Sequence, residues 1–471
     1  MQNKNANPSL HTETHQTVHL EVRSAGGSKS IAIGFTDQKV SSHGGLALMG
    51  SFIHRSGFAQ RLAKALPHQV TSPNARPPVE HGLSFVAGVL AGAEKFSQVA
   101  LLRADPAVPE FFGIKAISSQ PTLSRFFDRF EQFSNLHLFN DLFRWSLQKL
   151  NSRKEGYTLD LDSTPIIHED GHQEGVRPGY TPRGLKPGHH PLVAALAEPK
   201  LIAGFWLRSG NAHTANNAGA LLDNILRHLP SQIRVGLVRA DAGFSSEEFL
   251  CDLEARGLKY IVVAQLKRDI QKLCRHDDTS WQSTGVEGID VCEVDWPQKD
   301  WPAGRRLLVV RQKLSVRPDA KGKVLLEVPG YQFQAFLTNL PRSVPPLEVW
   351  RTYNPRADIE NRIKELAHQF GLKSFCCQNF WATEAACSLV CLAYNLSVLF
   401  QHRLCLTKEV EGQTLRWQIF HRAAIFSRAQ GRSTLKFYLP GKWRAWWLQI
   451  IEKLCSTLPS VNCNSVEFLP T

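Results

Sequence analysis

The pattern of apolar and polar positions divides the chain into stretches with different periods. Residues 1–35 are polar, with room for one short strand, and read as a flexible tail. Apolar side chains then recur at helical spacing across residues 36–150, most clearly as Leu123, Phe126, Phe127 and Phe130 after Ser119-Gln120-Pro121. That run predicts an amphipathic packing helix.

From Gly156 the period shortens. Tyr157, Leu159 and Leu161 alternate with Thr158, Asp160 and Asp162, which predicts a strand over 157–162 with both acids on one face, about 6.6 Å apart. A loop rich in Gly, Pro and His follows. Strands are predicted over 190–198 and 201–208 as a hairpin about Pro199, then a helix over 212–229 and a strand over 233–240 that runs into Asp241. Ser245 and Glu248 have capping-box spacing and open a helix that stops at Gly257; residues 258–264 form a further apolar strand. Three strands with a hairpin between the second and third, then helix, strand, helix and strand, is the element order of an RNase-H-like core.

Residues 265–346 break this pattern with Trp, Pro and short β-rich runs such as 307–310 and 331–337, and predict an inserted β domain. Pro355 and Gly371 then bracket a helix. The predicted architecture is α/β. An RNase-H-like mixed-sheet core occupies 151–264 and 347–400, with the β-rich insertion at 265–346. It is flanked by helical regions at 36–150 and 401–471, the second of them basic.

Charge adds a partner to this picture. With 55 Lys and Arg against 42 acidic residues the net charge is +13, which suits a polyanionic partner such as nucleic acid and equally a solvated basic surface. The short helix after Pro121 then also suits the second helix of a helix-turn-helix, with Ser124, Arg125 and Arg129 toward DNA. Residues 401–450 carry nine Lys or Arg against two acids, together with Trp417, Trp443, Trp446 and Trp447. This composition suits backbone contact with stacking, or core tryptophans under a basic surface. Trp296, Trp301 and Trp350 read as buried packing rather than as stacking platforms.

Other classes are disfavoured. Ten scattered cysteines, with no C-x-x-C pair, read as reduced thiols rather than as a disulfide scaffold or zinc site. His168, His172, His189, His190 and His213 match no metal-ligand spacing, and no Cys joins them. The polar N-terminus lacks a signal peptide. The most apolar stretch, 385–400, is short for a bilayer and contains Ser388, Asn395 and Ser397, so it reads as a buried helix with no membrane role.

Three carboxylates fall where such a core converges them: Asp162 ending the first strand, Asp241 after the fourth, and Glu360 on the helix after the insertion. Two-metal phosphodiester chemistry needs such a set, because hard Mg²⁺ ions take carboxylate oxygens at the attacking and leaving positions. On the Glu360 helix Ile359, Ile363, Leu366 and Phe370 form the buried stripe, with Arg356 and Lys364 one turn to either side of the acid.

The strings Leu159-Asp160-Leu161-Asp162-Ser163-Thr164, Arg239-Ala240-Asp241-Ala242-Gly243-Phe244 and Tyr353-x-x-Arg356-x-x-x-Glu360 resemble the three signature blocks of bacterial insertion-sequence DDE transposases of the cut-and-paste type. The resemblance runs from about Tyr157 to near Asn395. It implies a DNA transposase that cleaves and joins strands at the ends of an insertion sequence. Asp162, Asp241 and Glu360 are then the catalytic metal ligands for two Mg²⁺ ions, with Mn²⁺ able to substitute. Tyr353, Arg356 and Lys364 become DNA contacts, with Arg125 added from the N-terminal helices. The implied partners are double-stranded DNA, as terminal inverted repeats and target, and a second protomer in a synaptic dimer; the implied location is the bacterial cytoplasm, at the nucleoid. The family's third block often ends with Lys seven residues after the Glu, where Ala367 stands here; Lys364 or Lys373 can take that role.

Two rival readings remain. Asp160-Leu161-Asp162-Ser163-Thr164 also resembles the D-x-D-x-T motif of haloacid-dehalogenase-like phosphatases, with Asp160 as nucleophile. A transposase-derived DNA-binding protein that no longer cuts is the other.

Overall fold

The computed structural model describes residues 18–456, except 25–26, 68–71, 73, 170, 182–183, 276–279, 295–301, 303 and 407. Ten strands form its central sheet: β1 (Tyr157–Ser163), β2 (Leu192–Leu196), β3 (Leu201–Trp206), β4 (Val235–Ala240), β5 (Tyr260–Ala264), β6 (Gln282–Ser283), β7 (Ile289–Val294), β8 (Arg306–Lys313), β9 (Lys323–Leu325) and β10 (Val328–Thr338). Their order is β6-β7-β8-β10-β5-β4-β1-β2-β3, with β9 also paired to β10.

Strands β1, β4 and β5 run parallel, while β2 and β3 are antiparallel to their neighbours. Short turns suffice for the antiparallel hairpins, whereas parallel strands need crossovers. Helices Ala218–His228 and Glu247–Ala255 supply them. The order β3-β2-β1-β4-β5 with these two crossovers is an RNase-H-like core.

The insertion is not a separate β body. β10 pairs antiparallel with β5 and with β8, so the strands of residues 265–346 extend the core sheet. The free edge of β5 offers unpaired N–H and C=O groups that a following strand can satisfy, and alternation along a strand says nothing about which edge it joins. The Gly- and Pro-rich stretch after β1, expected as loop, forms a small sheet of Ile166–Ile167, Arg177–Thr181 and Gly184–His189.

At the opposite edge β3 lies under the helix Phe380–Leu404, which also packs on the N-terminal helices Pro78–Ala91 and Gln132–Leu147. Asn395 on that helix acts as a surrogate strand: its Oδ1 accepts from Ile202 N–H and its Nδ2 donates to Ile202 O, both at 2.8 Å. Glu384 accepts from Leu207 N–H at 2.9 Å. Thus the edge is closed by side chains rather than left to pair with another molecule. At 25 residues the helix is longer than the stretch 385–400 predicts, and it passes for a membrane span by length and composition; its apolar window is wholly buried inside the protein.

The N-terminal region departs from expectation at two places. Residues 18–33 hold two strands, Val18–Ser24 and Gly27–Ile33, paired as a hairpin; Leu20 and Ile31 are exposed, so no core selects an apolar alternation there. Residues 1–17 lie outside the described residues. The helix Gln120–Phe127 buries Leu123, Phe126 and Phe127 against neighbouring helices and leaves Arg125 and Arg129 outward. It follows the four-residue helix Val108–Phe111 after an eight-residue connection, not the 3–4-residue turn of a helix-turn-helix, so the packing reading holds. The C-terminal hairpin Ala424–Ala429 and Arg432–Phe437 pairs with Val40–Ser41. Trp447 is core, whereas Trp417 is exposed. Trp350 is buried; Trp296 and Trp301 lie outside the described residues.

Candidate active site

β1 and β4 lie side by side with Asp160 opposite Arg239 in register. Both strands are flanked on each side, so polar residues on their shared face must satisfy one another. Arg239 answers with a fork: Nε to Asp160 Oδ1 at 2.6 Å and Nη2 to Asp160 Oδ2 at 2.8 Å, while Nη1 donates to Thr352 O at 2.7 Å. Asp160 is 2% exposed with both oxygens engaged. It cannot serve as an open nucleophile, which removes the phosphatase reading and leaves Asp162 as the first acid.

Asp162, two residues on, is buried at the end of β1; its Oδ1 accepts from Ser163 N–H at 2.7 Å and lies 3.3 Å from Arg356 Nη2. Asp241 follows β4 and turns the chain by capping the short 3₁₀ turn Ala242–Phe244, its Oδ1 accepting from Gly243 N–H at 2.8 Å. That turn consumes one residue more than the sequence spacing allows, so the next helix is capped by Ser246, not Ser245. Among the described residues the second oxygen of each of these two carboxylates is uncommitted.

Glu360 comes from the helix Ala357–Gln369, which enters through the 3₁₀ turn Asn354–Arg356 and ends before Gly371, whose φ of +74° favours glycine. Its carboxylate is half-exposed, with Arg356 Nη1 3.7 Å from Oε1 and Lys321 Nζ, from the insertion, 3.6 Å from Oε2. Arg356 therefore stands among the acids. Its guanidinium is 3% exposed, donates to Leu161 O at 3.0 Å, and keeps a buried Nε with no acceptor among the described residues.

The electrostatics record the convergence. Burial pushes the Asp162 carboxyl up to about 6; Arg356 opposes the rise, and Asp241 and Glu360 add to it by repulsion. Three acids share one central cation, an excess of negative charge that a hard divalent cation would relieve. As placed, however, no three His, Cys, Asp or Glu side chains among the described residues are grouped closely enough to hold a metal ion. The oxygen donors suit Mg²⁺ by chemistry, while Arg356 occupies the space between them.

The expected DNA contacts divide. Lys364 is exposed and lines a cavity beside the acids, and Arg125 is exposed on its distant helix. Tyr353 and Arg356 are buried, Tyr353 with its ring 5.1 Å from that of Phe336, so neither presents the open surface a backbone contact needs. Burial raises the Tyr353 phenol to about 12, keeping it neutral beside Arg356. Arg239 and Lys321 were not foreseen. A signal for Arg239 exists: D-x-D and R-x-D on neighbouring parallel strands place arginine against the first acid. Among the histidines, His168 Nε2 meets His189 Nδ1 at 2.9 Å and Cys376 Sγ at 3.8 Å, so a cysteine does join them. Burial holds His168 neutral, at about 4.

An RNase-H-like core with acids after its first and fourth strands and on the helix beyond the insertion defines the class of DDE proteins. The chain belongs to the family described as transposase DDE domain group 1, whose model matches residues 23–457. No curated protein matches the chain. Among solved structures it is similar to a piggyBac transposase synaptic complex with hairpin DNA, determined by cryo-EM, at 12% identity and a TM-score of 0.41, over 89% of this chain and 85% of that one.

Proposed function

We propose that this transposase cleaves DNA at the ends of a bacterial insertion sequence and transfers the freed strands to target DNA. The observation that carries the reading is the convergence of Asp162, Asp241 and Glu360 about Arg356 at one end of the RNase-H-like sheet. These three acids would hold the divalent metal, Mg²⁺ or Mn²⁺; such ions supply activation of water or a 3′ hydroxyl and stabilisation of the leaving 3′ oxygen. Tyr353, Arg356 and Glu360 form a Y-R-E block in which the first two position the third. Arg356 holds Asp162 and Glu360 apart from direct repulsion, and Arg239 fixes β1 against β4 so that Asp162 and Asp241 end side by side.

The +13 charge supports association with duplex DNA in the nucleoid. Exposed Arg125 and Lys364, with the basic surface of residues 401–456, are the proposed contacts. One set of three acids serves one DNA end, so a protomer on each end, a synaptic dimer, is the simplest arrangement for excision. The test is a nicking assay on a duplex that ends at the inverted repeat flanking the gene, with Mg²⁺ or with EDTA. Metal-dependent 3′ hydroxyl formation at the repeat end is expected; binding without any nicking would make the chain a DNA-binding protein that no longer cuts.

A further inference from the structure

The small sheet that follows β1 carries a hairpin, Arg177–Thr181 paired with Gly184–His189, whose two faces differ. Gly179 and Thr181 are turned into the protein, and Thr181 lines a cavity that Asp162 and Glu360 also line. On the other face Tyr180 and Leu185 stand opposite each other in register, 81% and 71% exposed.

The base of this hairpin is held backbone to backbone. A Cβ on Gly179 would run into the carbonyl oxygen of Gly210, in the loop after β3, and one on Gly210 would run into those of Arg177 and Gly188. Ser209 Oγ donates to Gly175 O at 2.6 Å, and Ser209 pairs with His189 as an isolated bridge. The exposed pair therefore has a fixed direction. Two large apolar side chains set side by side in water on so firm a support belong to a contact made with something from outside.

Size and charge choose the partner. A buried tyrosine covers about 150–250 Å², and one leucine beside it leaves the pair far below the roughly 800 Å² per partner of a stable protein interface. A single base is of the right size, and an aromatic ring stacks on any of the four. The two strands carry Arg177 and Lys186 and no Asp or Glu, and both cations are exposed without an ion pair among the described residues. Such a surface suits nucleic acid better than a second copy of the chain.

We infer that this hairpin is a strand-separating pin: the strand to be cut passes on the Thr181 face toward the acids, while Tyr180 and Leu185 on the opposite face stack against a base of the complementary strand and hold it unpaired. The inference rests on the DNA-cleaving reading above and adds to it the means by which a paired end is opened. Tyr180 and Leu185 are binding residues, so their action is read without metal as well as in nicking.

The test uses the repeat-end duplex with 2-aminopurine in the complementary strand near the cut, its fluorescence read in EDTA. Nicking in Mg²⁺ is followed on the same duplex, either fully paired or mismatched at those positions. Wild type should bind the paired duplex and raise the fluorescence severalfold as the base unstacks. The double variant Tyr180→Ser, Leu185→Ser should bind without that rise and nick the paired duplex about tenfold or more slowly, because opening is then left to thermal fluctuation. On the mismatched duplex its rate should return. Tyr180→Phe should keep the rise, since the ring is what stacks, and melting temperatures should be unchanged because both positions are exposed. No rise in wild type, equal fluorescence and nicking in wild type and the double variant, or slow nicking that the mismatch does not restore would each overturn the pin and leave the broader reading standing. Loss of two-protomer assembly on DNA in the double variant, seen by sizing, would assign the pair to a second copy and overturn it as well. Wild type that neither binds nor nicks the duplex would overturn both.

Discussion

Arg356 Nη2 lies 3.3 Å from Asp162 Oδ1 while the same nitrogen donates to Leu161 O at 3.0 Å. One arginine thus ties the start of the Glu360 helix to the end of β1 and stands between Asp162 and Glu360, while Lys321 meets Glu360 from the insertion. The role of Arg356 is to position acids that would otherwise repel, and its burial keeps it from reaching DNA as well.

Replacing Arg356 with Ala should leave Asp162 buried without its counter-ion. Loss of one partner of a buried ion pair costs about 3–5 kcal/mol. Denaturant unfolding should show a loss of this order, and nicking should fall with it. Arg356→Lys should recover part of the stability, since charge returns but the fork does not. An Arg356→Ala protein as stable as wild type would contradict the positioning role.

Asp162→Ala, Asp241→Ala and Glu360→Ala should each lower nicking by on the order of 10⁴ or more, as single losses from a group that acts as a unit do. Affinity for the DNA end should stay nearly unchanged, because the role proposed for these residues is to hold metal and not to read sequence. Gel-shift titration beside the nicking assay separates the two. An alanine variant that still nicks would remove its residue from the site.

Asp160 and Asp162 sit two residues apart on one strand, yet their substitutions should fail differently. Asp160→Ala strands the Arg239 guanidinium in the sheet and should destabilise by about 3–5 kcal/mol. Asp162→Ala removes a carboxylate that burial and its acidic neighbours already disfavour and leaves Arg356 with the Leu161 carbonyl and Glu360, so it should cost less than Asp160→Ala. Exchanging the whole pair, Asp160→Leu with Arg239→Met, should recover much of the first loss. Chemical denaturation of the four proteins checks this; equal losses at 160 and 162 would show that the Arg239 fork does not distinguish them.

Much of this site was legible because its signals are local. Alternation in β1 fixed which residues share a face, and the acids stand at strand and helix ends that propensity and capping mark. What stayed hidden depends on register between distant segments. Arg239 and Asp160 are 79 positions apart, and only the parallel pairing of β1 with β4 brings them together. The insertion reads as β-rich from its residues, but nothing in them says that β10 completes the edge of β5. The same holds for Asn395, a polar blemish in an apolar helix until Ile202 is seen beneath it. Arg356 was misread for the opposite reason: an arginine one turn from an acid looks solvent-facing until the fold buries it.

Glu384 gives a prediction about pH. It lies 6% exposed on the core helix, accepting from Leu207 N–H and from Asn135 Nδ2 at 3.2 Å. Burial pushes its carboxyl from 4.5 up to about 7, against the pull of those two donors. Because the folded value lies above the unfolded one, the folded protein holds this proton more tightly. The resulting stabilisation is complete below about pH 4.5 and is lost as pH rises through about 7, a change on the order of 3 kcal/mol. Neutral histidines such as half-buried His81 and buried His168, both held at about 4, act in the opposite sense, their contribution being lost as pH falls. The raw profile therefore mixes signs, and the difference between wild type and Glu384→Gln isolates the carboxyl. Glutamine has the shape of the neutral acid and cannot ionise, so wild type should lose stability relative to the variant between pH 5 and pH 8. Unfolding free energies measured at both values supply the test, and parallel profiles for the two proteins would show that Glu384 ionises in the core without cost.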